Sequence, residues 1–226
     1  MEELLRAAGL AGRLTHEHEV DGERFVVVRL DGGFEEARQR VRAVSAAHYP
    51  VLLADTMHLD RDFFRADGRL SSPADVLRRA QTVDLDAHVA RWQARQDAET
   101  LGTGDEGHHL DAYDVTAYGA PQFLAILPRP EPWAAFAYVD AYGGVGLPPE
   151  LMVAAARRWH ERHGAEPTVI GLATGFAVPR PPTGPADAER LAVEHVSLAG
   201  LTAGTTVRAY ARALTRLGHW TLYDRP

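Results

Sequence analysis

The sequence predicts an α+β fold: a mixed β-sheet covered by helices, arranged as two pseudo-symmetric halves. Three observations point there. Strand-like runs alternate with helix-period segments along the chain, and the connections between them are short. One pattern also occurs twice, roughly 110 residues apart. Its first copy, Arg24-Phe-Val-Val-Val-Arg-Leu-Asp31, ends in Gly32-Gly33; its second, Ala134-Ala-Phe-Ala-Tyr-Val-Asp140, runs on to Gly143-Gly144. A helical stretch follows each copy, then an apolar run opened by Pro50 or Pro167, then a Pro-Ala-Asp helix start at Pro73 or Pro185. The pattern reads either as a duplication or as punctuation common to α/β chains. A duplication predicts a groove between the halves.

Taken in order, residues 2–12 form a short amphipathic helix stopped by Gly12. Thr15–Val20 alternates, and Asp21-Gly22 is a hairpin turn before the strand Phe25–Leu30. Phe34, Ala37, Val41 and Val44 recur at helical spacing, and residues 50–54 read as a buried strand. Strand, helix and strand with short links make a βαβ unit with parallel strands. Ser72 before Pro73 marks a helix over 73–81, and Asp84 opens another over 85–97. The Gly- and acid-rich stretch 98–114 divides an N-terminal half, 1–97, from a C-terminal half, 115–226. In the second half, strands are expected at 122–127, 134–139, 168–172 and 220–223. Helices are expected at 148–161, capped by Gly164, at 185–196 and at 205–217.

Composition excludes several chemistries. The chain has 226 residues, ample for a core, and no cysteine, so disulfides, thiolate nucleophiles and Cys-bound zinc are ruled out. All 24 basic residues are arginine, which rules out a Schiff-base or P-loop lysine. A net charge of −7 argues against a nucleic-acid partner. No apolar run reaches the roughly 20 residues that cross a bilayer, and acids stand where a signal peptide needs positive charge. The expectation is a cytoplasmic protein without membrane partner or cofactor.

From about Phe123 onward a set of ordered motifs carries a family resemblance. They are Leu127-Pro-Arg-Pro-Glu-Pro-Trp133, Ala137-Tyr-Val-Asp-Ala-Tyr-Gly-Gly144, Arg157-Arg-Trp-His-Glu-Arg-His-Gly-Ala-Glu166, Pro179-Arg-Pro-Pro-Thr183 and Ala188-Glu-Arg-Leu-Ala-Val-Glu-His195. Residues 123–226 resemble the bacterial family called domain of unknown function 4253, as a divergent member. The resemblance brings no activity. It implies that relatives carry Trp-Asn and Cys-Pro after the glycine pair, where this chain has Val145-Gly-Leu-Pro148, and Cys-Pro-Asp where it has Ser197-Leu-Ala-Gly200. The resemblance therefore weakens a catalytic reading.

The remaining candidates are individual side chains. His160 and His163, one turn apart on a helix, read first as a solvated helix end, where cations are favoured; the face they share can also hold a metal. His16 and His18 share a strand face, and His108-His109 sit among acids. Asp140 and His195 are the candidate catalytic groups, His195 as a general base, yet no Gly-x-Ser-x-Gly elbow supplies a nucleophile. Asp31 and Asp140 end their runs before glycine pairs, where open α/β sheets bind ligands. Glu35 and Glu36 in the following helical turn would repel an anion. Trp133 is a candidate anchor for a partner protein, or a core residue. Two functions follow. One is a non-catalytic binding or interaction protein, such as a toxin-neutralising or regulatory factor. The alternative is an enzyme or metal-binding protein using His and Asp residues between the halves.

Overall fold

The computed structural model describes residues 1–53, 71–96, 123–139, 148–171, 173–199 and 206–223. Its elements are α1 (Glu2–Ala7), β1 (Leu14–Val20), β2 (Glu23–Arg29), α2 (Phe34–Val44), β3 (Tyr49–Leu53), α3 (Pro73–Ala80), α4 (Leu85–Gln93) and β4 (Phe123–Leu127). A 3-10 turn (Pro132–Ala134) leads into α5 (Ala135–Tyr138), α6 (Pro149–His163), β5 (Glu166–Ile170), β6 (Ala173–Ala177), α7 (Pro185–Ala199), α8 (Val207–Leu214) and β7 (His219–Tyr223). The strands form one mixed sheet in the order β1-β2-β4-β3-β5-β6-β7, with β3 and β5 parallel and the other neighbours antiparallel. The predicted α+β class and mixed sheet are present.

Alternation along the strands creates two cores. Val26, Val28, Leu52, Leu124, Ile126 and Val169 pack under α1 and α2 through Leu5, Ala8, Ala37 and Val41. Phe25, Val27, Val51, Leu53, Ala125 and Phe176 face the other way, under a larger layer that includes Val76, Phe136, Trp159, Leu191 and Leu214. Helices therefore cover both faces unequally.

Local chemistry explains most boundaries. Asp21 and Gly22 both have positive φ, the geometry of a tight hairpin turn. The Asp21 carboxylate accepts the Ala74 amide at 2.9 Å, tying this turn to the start of α3. Ser72 and Asp84 cap α3 and α4 as expected. Gly164 ends α6 at φ +65, and a Cβ there would meet Pro179 at 2.8 Å.

Three expectations need correction. β2 and β3 are parallel in direction, but β4 enters between them and is antiparallel to both. Where a strand was expected over 134–139, the chain forms the end of a 3-10 turn and α5, with only Val139 extended. Pro132 pre-sets a helical φ, three alanines favour helix, and burial of all four α5 residues removes any alternation that would distinguish strand from helix. The two copies of the repeated pattern thus differ, one a strand and the other a helix. Third, β6 lies in a segment where no strand was expected, because Ala-Thr-Gly-Phe-Ala has weak strand propensity. Pairing with β5 and β7 on both sides holds it. The stretch 98–114 and Gly143-Gly144 lie outside the described residues. Among the described residues no helix is long and apolar enough to cross a membrane.

Candidate functional site

The sequence-derived candidates do not converge. Asp140 lies outside the described residues, as do His108 and His109. Asp31 is exposed and pairs with Arg13 at 3.5 Å. Trp133 sits in the 3-10 turn, half-buried, its ring 5.0 Å from that of His160. His160 and His163 share α6 but turn to different neighbours. The Nδ1 of His160 lies 3.2 Å from the Ala165 carbonyl; that of His163 lies 3.1 Å from the Arg180 carbonyl, and its ring packs on Trp220. Both serve the C-terminal end of α6. Among the described residues no group of three metal-ligating side chains forms. His16 and His18 do stack, on an edge strand, and His18 continues onto Phe25.

His195 is sealed in the larger core. α7 turns it inward against Trp159 and Trp220, with ring centroids at 4.5 and 4.9 Å. Its Nδ1 lies 2.8 Å from the Tyr210 hydroxyl, and its Nε2 has no partner. Burial, with a smaller push from His163, lowers its pKa to about 3. Beside it, the buried Glu194 accepts the Trp159 indole N–H at 2.8 Å and pairs with Arg158 at 3.1 Å. Arg158 reaches on to the exposed Asp86 at 2.6 Å. Sequence reasoning missed this network. A glutamate on the same helix face as Leu191 and Leu198 was its only trace.

A second region is open. The α1–α2 layer packs over β2, β4 and β3 and reaches β5 at Val169 and through the Arg42–Glu166 ion pair. On that side of β6 and β7 no described helix packs. Because Phe176 points into the other core, this side of β6 presents the small side chain of Ala177. A trough of about 610 Å³ runs between α2 and this side of β6, bordered by Phe34, Glu36, Val169 and His219. It meets a second hollow of about 430 Å³, bordered by Arg42, Glu166 and Pro179. Arg38, Ala177 and Gly218 border both.

Arg38 is the functional candidate that sequence reasoning missed. Its side chain is only 5% exposed. Nε and Nη2 donate to the two carboxylate oxygens of Glu35, each at 2.9 Å, while Nη1 is buried without a partner. Burial works against its charge, but the Glu35 hydrogen bonds, with Tyr49 and Glu166 nearby, hold its pKa above the usual arginine value. Burial likewise opposes the charge of Glu35, and bonds from Arg38 and Gln39 bring its pKa below the usual carboxylate range. The first-turn acid expected to repel ligands is therefore neutralised by its neighbour. The sequence did carry a signal: Arg38 lies on the apolar stripe of Phe34, Ala37 and Val41, where a charge is out of place.

Residues 123–224 match the model of a family described as a domain of unknown function, DUF4253. The match begins at the first residue of β4 and takes in β5, β6 and β7, so it supplies the trough floor; α2, its wall, lies outside. No curated protein and no solved structure matches the chain at a significant level.

Proposed function

We propose that the protein is a non-catalytic binding protein of the cytoplasm that takes part of a partner protein into the trough beside α2. The observation that carries this reading is Arg38, a buried, charge-balanced guanidinium that borders two adjoining surface hollows. A depression with an apolar lining and a few placed polar groups is the usual anatomy of a recognition site. His195 supports the same reading from the other side: a general base needs a pKa near the working pH and access to a proton, and this one is buried with a pKa about 3. The net charge of −7 would steer a basic partner toward the surface, as expected for a regulatory or toxin-neutralising factor. The enzyme and metal alternatives gain no support from the described residues.

Amide chemical shifts of isotope-labelled protein, mixed with soluble extract of its source cells, test the proposal. Shifts should gather at Leu52, Val169, Ala177 and Gly218 and disappear in Ala177→Trp, which fills the trough from its floor. Shifts centred on His195, or none anywhere, would overturn it.

A further inference from the structure

We propose that α8 is a docking surface for an acidic segment of a partner protein, whose carboxylates meet Arg208 and Arg216; it lies on the larger-core side of the sheet and works independently of the trough. α8 buries Val207, Ala211 and Leu214 in that core and turns Arg208 and Arg212 to solvent. Arg216 follows, also exposed, in a turn closed by its amide on the Ala213 carbonyl at 2.9 Å. Four residues apart, the three arginines form one stripe about 12 Å long at 1.5 Å of rise per residue. From Val196 to Tyr223 the chain carries these arginines, one histidine and no carboxylate, which leaves 21 of the 24 arginines to face all 31 acids. A basic stripe thus stands on an acidic molecule.

The stripe costs α8 stability on two counts. A cation in the first helical turn opposes the helix dipole, and like charges four residues apart repel. α2, α3, α4, α6 and α7 each place an acid in the first turn; α8 has none and carries Arg208 there. Several arginines elsewhere are met by carboxylates, Arg42 by Glu166, Arg79 by Glu150 and Arg158 by Asp86. Arg208 and Arg216 meet none among the described residues. A local charge rule broken without compensation inside the chain marks a surface whose counter-charge comes from outside. The short stripe sets the class of that counter-charge. Nucleic-acid binding commonly neutralises about 6–10 phosphates, and an anionic membrane is an extended negative plane; either would face the molecule's own acids. A short acidic segment meets the stripe alone, with acids more than about 8 Å away screened, and its carboxylates match the guanidinium fork.

Amide shifts of the labelled full chain, titrated to millimolar concentration with an alanine-rich helical peptide that carries three glutamates at four-residue spacing, test this. The peptide should shift amides from Arg208 to Leu214 and bind several-fold more weakly when salt rises from about 20 to about 200 mM. Its glutamine counterpart should shift nothing. Arg208→Glu should weaken binding several-fold, and Arg208→Glu with Arg216→Glu about tenfold or more, since attractions become repulsions. Arg208→Glu should melt no lower than the natural protein, because an acid then occupies the first turn of α8; it keeps the test decisive if the double variant does not fold. Unchanged affinity in Arg208→Glu, equal binding of the glutamine peptide, or silence of both peptides would overturn the proposal. Tighter binding of a short oligothymidylate or of phosphatidylserine vesicles would overturn it in favour of a phosphate-bearing ligand. Salt-sensitive self-association that Arg208→Glu abolishes would overturn it in favour of a second copy of the chain. None of these outcomes bears on the trough, which Ala177→Trp tests separately.

Discussion

His195 and Arg38 are both buried, both ionisable and both left with one unpaired nitrogen, yet the protein treats them in opposite ways. His195 lies between aromatic rings on the side of the sheet that carries the larger core and is kept neutral by burial. Arg38 lies beside the half-covered side and keeps its charge, balanced by a two-pronged bond to Glu35. A histidine can give up its proton when it is desolvated; a guanidinium cannot, so it must bring a partner. The consequence is functional. A neutral, enclosed imidazole stabilises packing, whereas a paired guanidinium keeps a charge beside an open trough.

Four perturbations probe this contrast, from strongest to weakest. Glu194→Ala removes the only buried carboxylate among the described residues, orphaning the Trp159 N–H and one side of Arg158. It should lower stability by roughly 3–5 kcal/mol, measured by urea unfolding, as expected when a buried pair loses one member. A loss below about 1 kcal/mol would mean that the covered side tolerates charge as the open side does.

Acid is the second probe. The folded pKa of His195, about 3, lies below its ordinary value of 6.5, so the unfolded chain binds the proton more readily between those values. Stability from this residue is therefore present above about pH 6.5 and drains as pH falls toward 3. Between about pH 7 and about pH 4 the loss is roughly 3 kcal/mol. His195→Phe should lose that much less than the natural protein over the same interval, since His18 and His48, also lowered by burial, affect both equally. Identical acid profiles would show that His195 is protonated in the fold.

Glu35→Ala comes third. It leaves Arg38 buried without its counter-charge, but beside an open trough that water can enter. The expected destabilisation is about 2 kcal/mol, smaller than for Glu194, because a lost bond to a charged group counts for about 1.5–3 kcal/mol when solvent can partly replace it. The weakest effect belongs to Ala177→Trp, within about 0.5 kcal/mol of the natural protein, since the side chain enters open space. The same enlargement at the fully buried Ala156 should cost about 1–3 kcal/mol by overpacking. Similar costs at both positions would mean that the trough is closed.

Much of the fold was legible because its signals are local. The Asp21-Gly22 turn, the Ser72 and Asp84 caps and the Gly164 stop each follow from one residue's chemistry in its own neighbourhood. Local chemistry failed where pairing partners were remote. β6 is a strand only because β5 and β7 flank it, and α5 is a helix in a run apolar enough for either state. The sites divide the same way. His195 was found by residue type, but its enclosure depends on Trp159, Trp220 and Tyr210 from three other elements. Arg38 was passed over because its importance depends on what α2 leaves uncovered, and no stretch of sequence records that.

The position of β4 reaches beyond architecture into how the molecule is made. β2 and β3 emerge early in synthesis, yet the strand that joins them lies some seventy residues after β3. Until it arrives, both carry unpaired edges that invite pairing with other chains. Pairings between such distant segments close large loops, which slows folding. The N-terminal half alone, with the gap between β2 and β3 unfilled, should therefore aggregate when expressed by itself, and supplying residues 115–226 in trans should rescue it by inserting the missing strand.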